Sequence, residues 1–101
     1  VDYNGYRLLK RLFIDKDVNT VKRLASALQQ HPGVICLLGA SQAENATLIF
    51  ARAGDVNVHM GNLLRDALRE IGGKGGGKED FAQGGGITRQ QGEAILSRLF
   101  P

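Results

Sequence analysis

The stretch MGNLLRDALREIGGKGGGKEDFAQGGG, residues 60–86, sets an amphipathic pattern directly against a run that is mostly glycine. Met60, Leu63, Leu64, Ala67, Leu68 and Ile71 recur at i, i+3, i+4, i+7, i+8 and i+11, the stripe that a helix buries against a core. Gly72 stands where the left-handed residue that closes a helix belongs. Of the fifteen residues 72–86, eight are glycine. Glycine loses more backbone entropy on folding than any other residue and packs nothing, so such a run needs a cause. One reading is a flexible linker. The other is a backbone surface that a partner approaches closely, its N–H groups forming anion-binding nests while Lys74 and Lys78 supply charge. The run contains no serine, lies between two helical patterns, and spaces its lysines four residues apart, which favours a ligand-facing loop.

Outward from this stretch the chain alternates between strand and helix signals. Residues 6–14 (YRLLKRLFI) are apolar and aromatic between Asn4-Gly5 and Asp15, and predict a strand. Asp15 or Asp17 caps a helix carrying Val18, Val21, Leu24, Ala25 and Leu28 inward, with Lys22, Arg23 and Gln29 on the wet side. His31-Pro32-Gly33 ends it. The apolar runs 34–38 and 46–51 predict two neighbouring antiparallel strands, joined by a polar turn around residues 41–45 that is long for a tight hairpin. Asp55 or Asn57 caps the helix that follows. Thr88 and Gln91 have the spacing of a capping box and open a last helix through Leu99. The fold class is therefore α+β: a small, mostly antiparallel or mixed sheet packed by about three helices, with the glycine-rich loop between the last two.

The chain of 101 residues is the size of one domain, and Val1-Asp2-Tyr3 reads as the middle of a longer polypeptide. No apolar stretch approaches the ~20 residues a membrane span needs. The single Cys36 rules out an internal disulfide and fits a reducing, cytoplasmic setting; in VICLL it reads as a core residue. Thirteen basic against ten acidic residues leave a net charge of +3. Arg7, Lys10, Arg11, Lys16, Lys22 and Arg23 cluster early, and Arg65, Arg69, Lys74 and Lys78 lead into and through the glycine run. Such clustering is the electrostatic footprint of polyanion binding, and a solvated basic face is the alternative.

The glycines do not form a nucleotide-triphosphate loop. They start at a helix C-terminus, where the dipole repels anions, and lack the four-residue gap and Lys-Ser/Thr ending of a Walker sequence. The far end differs: Gly84-Gly85-Gly86 runs into the N-terminus of the last helix, so a phosphate there meets free N–H groups and Lys74 or Lys78. Crossing of backbone over a neighbouring strand explains these three glycines equally well. Phe81 is a plug into the core or a base-stacking platform, and Gln83 reads a base edge or bonds the loop itself. His31 and His59 have no partner at metal spacing, Ser41 lacks a nucleophile-elbow context, and Glu79-Asp80 reads as turn residues, a counter-charge for Lys78 or a magnesium contact. No catalytic residue, metal site or cofactor is expected in this chain.

Residues 71–86, IGGKGGGKEDFAQGGG, resemble the signature of the C-terminal domain of alanyl-tRNA synthetases, which also follows the editing module in longer free-standing alanyl-tRNA editing proteins and belongs to the DHH-associated superfamily. Gly72, Gly73, Lys74, Gly75, Gly76, Gly77, Lys78, Ala82, Gln83 and Gly84 match the motif. The resemblance is specific over residues 56–86, covers element order over 6–52, and includes little more than a final helix after Thr88. It implies a tRNA-recognition accessory that engages the tRNA elbow, joins aminoacylation to editing, and can form homodimers; the partner implied is tRNA, alanine-specific, without a membrane. The nucleic-acid contacts expected are Gly73, Lys74, Gly75, Gly76, Gly77, Lys78 and Gln83, with Arg65 and Arg69 alongside. The synthetases usually have Arg-Pro-Asp-Met where this chain has Lys78-Glu79-Asp80-Phe81, which points toward an editing protein. The zinc motifs of the editing module are absent, so any such hydrolysis resides upstream. The superfamily also serves DHH phosphodiesterases as a substrate-binding domain, but there a histidine follows the glycines, and none follows Gly75–Gly77 here. A dimerisation module is the other alternative.

Overall fold

The computed structural model describes residues 2–3 and 5–100. Nine elements follow in order: β1 (Asp2–Tyr3), β2 (Tyr6–Ile14), α1 (Val18–Leu28), β3 (Val34–Gln42), β4 (Asn45–Arg52), α2 (Met60–Arg69), β5 (Lys74–Gly77), β6 (Phe81–Thr88) and α3 (Arg89–Arg98). The strands form one six-stranded mixed sheet in the order β1-β2-β3-β4-β6-β5, its first strand two residues long. Only β2 and β3 run parallel, because α1 carries the chain back between them. The α+β class read from the sequence is the class observed.

Helices cover both faces of the centre of the sheet, so β3 shows no in–out alternation: Val34 to Ala40 are all buried. On one face Val34, Cys36, Leu38, Ile49 and Ala51 pack against Val21 and Ala25 of α1. On the other, Ile35, Leu37, Leu48 and Phe50 pack against Met60, Leu64 and Leu68 of α2 and Ile95 and Leu96 of α3. Cys36 is fully buried, and that burial pushes its thiol up to about 11. It stays protonated and inert near neutrality.

The helix ends obey local chemistry with one exception. Asp17 caps α1, accepting from the Thr20 N–H at 2.7 Å. The hydrogen bonds from Thr20 hold its carboxyl below the usual range, with Arg23 adding a smaller pull. Thr88 and Gln91 close the predicted capping box at both bonds, 2.9 and 3.2 Å. A Thr88→Ala variant is expected to lose about 1 kcal/mol, read as a Tm lower by about 4–8 °C; an unchanged Tm would show that the box contributes nothing. The exception is α2. Its cap is His59, whose Nδ1 accepts from the Asn62 N–H at 3.1 Å, and neither Asp55 nor Asn57. Asp55 instead accepts from the Gly33 N–H. The β3–β4 connection is also shorter than expected: Gln42 pairs with Asn45, leaving a two-residue turn in which Ala43 takes a positive φ of 56°. The polar residues on either side extend the ladder.

Candidate nucleic-acid interface

The glycine run is not a loop. Lys74–Gly77 and Phe81–Thr88 form β5 and β6, an antiparallel ribbon in which Lys74 pairs with Gly85, Gly75 with Gly84, Gly76 with Gln83 and Gly77 with Ala82. The Lys78 N–H donates to the Phe81 carbonyl at 2.9 Å and closes the turn. β6 in turn pairs with β4, placing Ala82 beside Phe50 and Gln83 beside Ile49. Glycine has little intrinsic strand preference; the ladder offered by β4 supplies what the residues lack. The expected loop between the last two helices is thereby corrected to a sheet-edge ribbon.

Most of these glycines answer to α2. The Met60 N–H donates to the Glu79 carbonyl at 2.7 Å and the Gly61 N–H to the Lys78 carbonyl at 3.0 Å, so the turn of the ribbon satisfies the first turn of the helix. A Cβ on Gly61 would lie 2.6 Å from the Gly77 oxygen. One on Gly75 would sit 2.7 Å from Leu68 Cδ1 and from the Gly84 Cα, and one on Gly84 2.7 Å from the Gly75 Cα and the Lys74 oxygen. Gly73 is equally confined by Ile87 and the Gly85 oxygen. Helix and ribbon touch backbone to backbone, which no larger residue permits.

Gly76 is different. A Cβ there meets nothing within 4 Å, and at Gly85 the nearest atom, Thr47 Oγ1, is 3.4 Å away. Because side chains alternate along a strand, Lys74, Gly76 and Lys78 lie on the face opposite Leu68, with Gln83 and Phe81 across from them. Phe81 packs into the core cluster under α1, the plug of the two readings offered for it. Lys74, Lys78 and Gln83 are exposed, and neither ammonium has a hydrogen-bond or ion-pair partner among the described residues. Alternation of the ladder also ties the amides of Lys74, Gly76 and Lys78 to β6 and turns those of Gly75 and Gly77 away from it.

The expected site residues therefore divide in three. Lys74, Gly76, Lys78 and Gln83 share one open face. Gly73, Gly75 and Gly77 serve close packing. Arg65 and Arg69 are on α2, beyond the ribbon, each paired with Asp66 at 3.5 and 3.8 Å. Sequence reasoning missed Gln29 and Arg52, which fix the ribbon in place. Gln29 Nε2 donates to the Asp80 carbonyl at 2.8 Å and the Arg52 carbonyl at 3.2 Å. Arg52 reaches Val58 and Ala53 carbonyls and the Glu79 carboxylate, the last at 3.8 Å. A glutamine at a helix end and an arginine at a strand end carry no sequence signal for such contacts. Among the described residues, no three His, Cys, Asp or Glu side chains gather as a metal would require, and no helix is long and apolar enough to cross a membrane.

The chain is 34% identical to an alanine–tRNA ligase of Leptospira interrogans over 96% of its length, and 32% identical to that of Myxococcus xanthus over 98%. It spans about a tenth of each, 10% and 12%. Its fold is that of the C-Ala domain of Aquifex aeolicus alanyl-tRNA synthetase, with a TM-score of 0.86 over 99% of this chain and 93% of that one at 17% identity. The profile of the DHHA1 domain matches residues 6–100. The chain belongs to the DHHA1 domain family.

Proposed function

We propose that this chain is a tRNA-binding accessory domain of an alanyl-tRNA synthetase-family protein, a synthetase or a free-standing editing hydrolase, and that it positions tRNA for catalytic or editing modules elsewhere in the polypeptide. The observation that carries the reading is the open face of the ribbon. Two exposed, unpartnered lysines flank a glycine whose side-chain position is empty, a surface where polynucleotide backbone can approach without steric resistance and find positive charge. Likeness to alanine–tRNA ligases over nearly the whole chain supports tRNA as the polynucleotide. Lys74 and Lys78 contact phosphate, Gln83 lies within the contact, and Gly73, Gly75 and Gly77 hold the ribbon in shape against α2. Arg65 and Arg69, already paired with Asp66, meet the tRNA only where it passes around the open edge of β5. A cytoplasmic setting and association of two copies go with this reading; the unpaired Cys36 fits the first.

The test is binding of an alanine tRNA transcript to the 101-residue chain across a salt series. The affinity is expected to fall with a log–log slope of about −0.7 for each phosphate neutralised, at least −1.4 for two lysines on single-stranded segments. Absence of binding, or binding indifferent to salt, overturns the proposal.

A further inference from the structure

Beside the ribbon's open face runs one flank of α1. Asn19, Lys22, Ser26 and Gln29 recur at i, i+3, i+7 and i+10, so they share one side of the helix. Gln29, at the end of this row, bonds the ribbon turn through the Asp80 carbonyl. The opposite flank carries Leu24, which lines a hollow with Leu8 and Leu9 of β2. Within the row Lys22 and Gln29 are half-buried and lie on the flank toward β6, while Asn19 and Ser26 stand exposed above them.

The level at which Lys22 stands follows from element geometry. Seven helical residues separate it from Gln29, about 10 Å along the axis. Three strand residues beyond Asp80 also cover about 10 Å. Lys22 thus stands level with Gln83 and its cross-strand partner Gly76. The helix packs chiefly over β3 and β4 and reaches Phe81 at the start of β6, so β6 beyond Phe81, and β5, lie to its side, one and two strand spacings or about 5 and 10 Å away. Lys22 is half-buried, and its ammonium has no partner among the described residues. The acidic turn residues Glu79 and Asp80 lie at one end of this channel, and Glu79 is engaged by Arg52.

We infer that α1 and the ribbon form a two-walled groove for one strand of polynucleotide backbone, with Lys22 as a phosphate contact facing Lys74 across a floor of Gly76 and Gln83. The inference rests on the tRNA-binding reading and adds to it a second wall from a distant part of the chain. The occupant follows from the charge: unpaired ammonium groups on both sides, over a floor bare at Gly76 and carrying the Gln83 amide beside it, accept a polyanion of repeating phosphates.

Three variants of the 101-residue chain test it by tRNA binding across a salt series, with thermal melts to confirm folding. Lys22→Glu is expected to weaken binding about tenfold and to make the salt slope shallower by about 0.7, a change that loss of a merely structural contact does not produce. Lys22→Arg retains both affinity and slope. Ser26→Glu removes no contact, yet its negative charge in the groove weakens binding severalfold. If Lys22→Glu and Ser26→Glu bind as the parent does while Lys74→Glu/Lys78→Glu binds poorly, the second wall is overturned and the ribbon reading survives. Loss in Lys22→Glu with none in the ribbon variant overturns the two-walled groove, and no salt-dependent binding by the parent overturns both.

Discussion

Gly84→Val is expected to destabilise the fold by about 3 kcal/mol, at the upper end of what overpacking costs, and to lower Tm by roughly 15 °C. Gly84 is buried between α2 and β5, and a Cβ would lie 2.5 Å from Leu68 Cδ1 and 2.7 Å from both the Gly75 Cα and the Lys74 oxygen. Leu68 can rotate away at some cost, but the other two atoms are backbone. Relief requires β5 to move off β6, which breaks ladder bonds at the edge of the sheet and pulls the turn from the first N–H groups of α2. The matched control is Gly76→Val, one residue along the partner strand. Nothing stands within 4 Å of its Cβ, and valine suits a strand better than glycine does. Its Tm should stay within a few degrees of the parent or rise, while the added bulk on the groove floor weakens tRNA binding. Thermal melts of the two proteins separate packing glycines from contact glycines. Equal Tm values would remove the packing argument, and unimpaired tRNA binding by a folded Gly76→Val would remove the floor.

The second large effect is on binding. Lys74→Glu/Lys78→Glu is expected to reduce tRNA affinity about 100-fold at low salt. A phosphate–ammonium contact near 4 Å is worth about 1 kcal/mol in water, reversal doubles the change at each site, and screening trims the total to roughly 3 kcal/mol, two decades in affinity. The loss should be similar for other tRNA sequences, because phosphate contacts position and do not specify. It should also shrink as salt rises. Arg65→Glu/Arg69→Glu should weaken binding far less, since those guanidinium groups are engaged by Asp66 on the far side of the ribbon. Competition binding at two salt concentrations reads all of this; equal losses for the two double variants would place the polynucleotide on α2.

Elements whose cause is local were legible in the chain. The stripe Met60, Leu64, Ala67, Leu68 is the buried face of α2, because helical periodicity is written in the residues themselves. The same holds for the Thr88–Gln91 box, the Asp17 cap, and Gly72 with its φ of 79°. The ribbon was not legible. Strand signals depend on side-chain alternation, and a run such as GGKGGG has none to show. His59 displaced better capping residues because the start of α2 is set by the Glu79 and Lys78 carbonyls, supplied from 19 and 17 residues downstream of the amides they accept from. Lys22 looked like one more solvated lysine, since its register against Gln83 exists only once α1 is laid on the sheet.

Residues 60–86 on their own thus carried the family likeness, the helix and the location of the lysines, all of which depend on neighbours a few positions apart. Which glycines touch α2, which leave a face bare, and which lysines look onto that face were settled by packing. Strand pairing and helix docking join residues tens of positions apart, and the free energy that selects those contacts belongs to the assembled sheet.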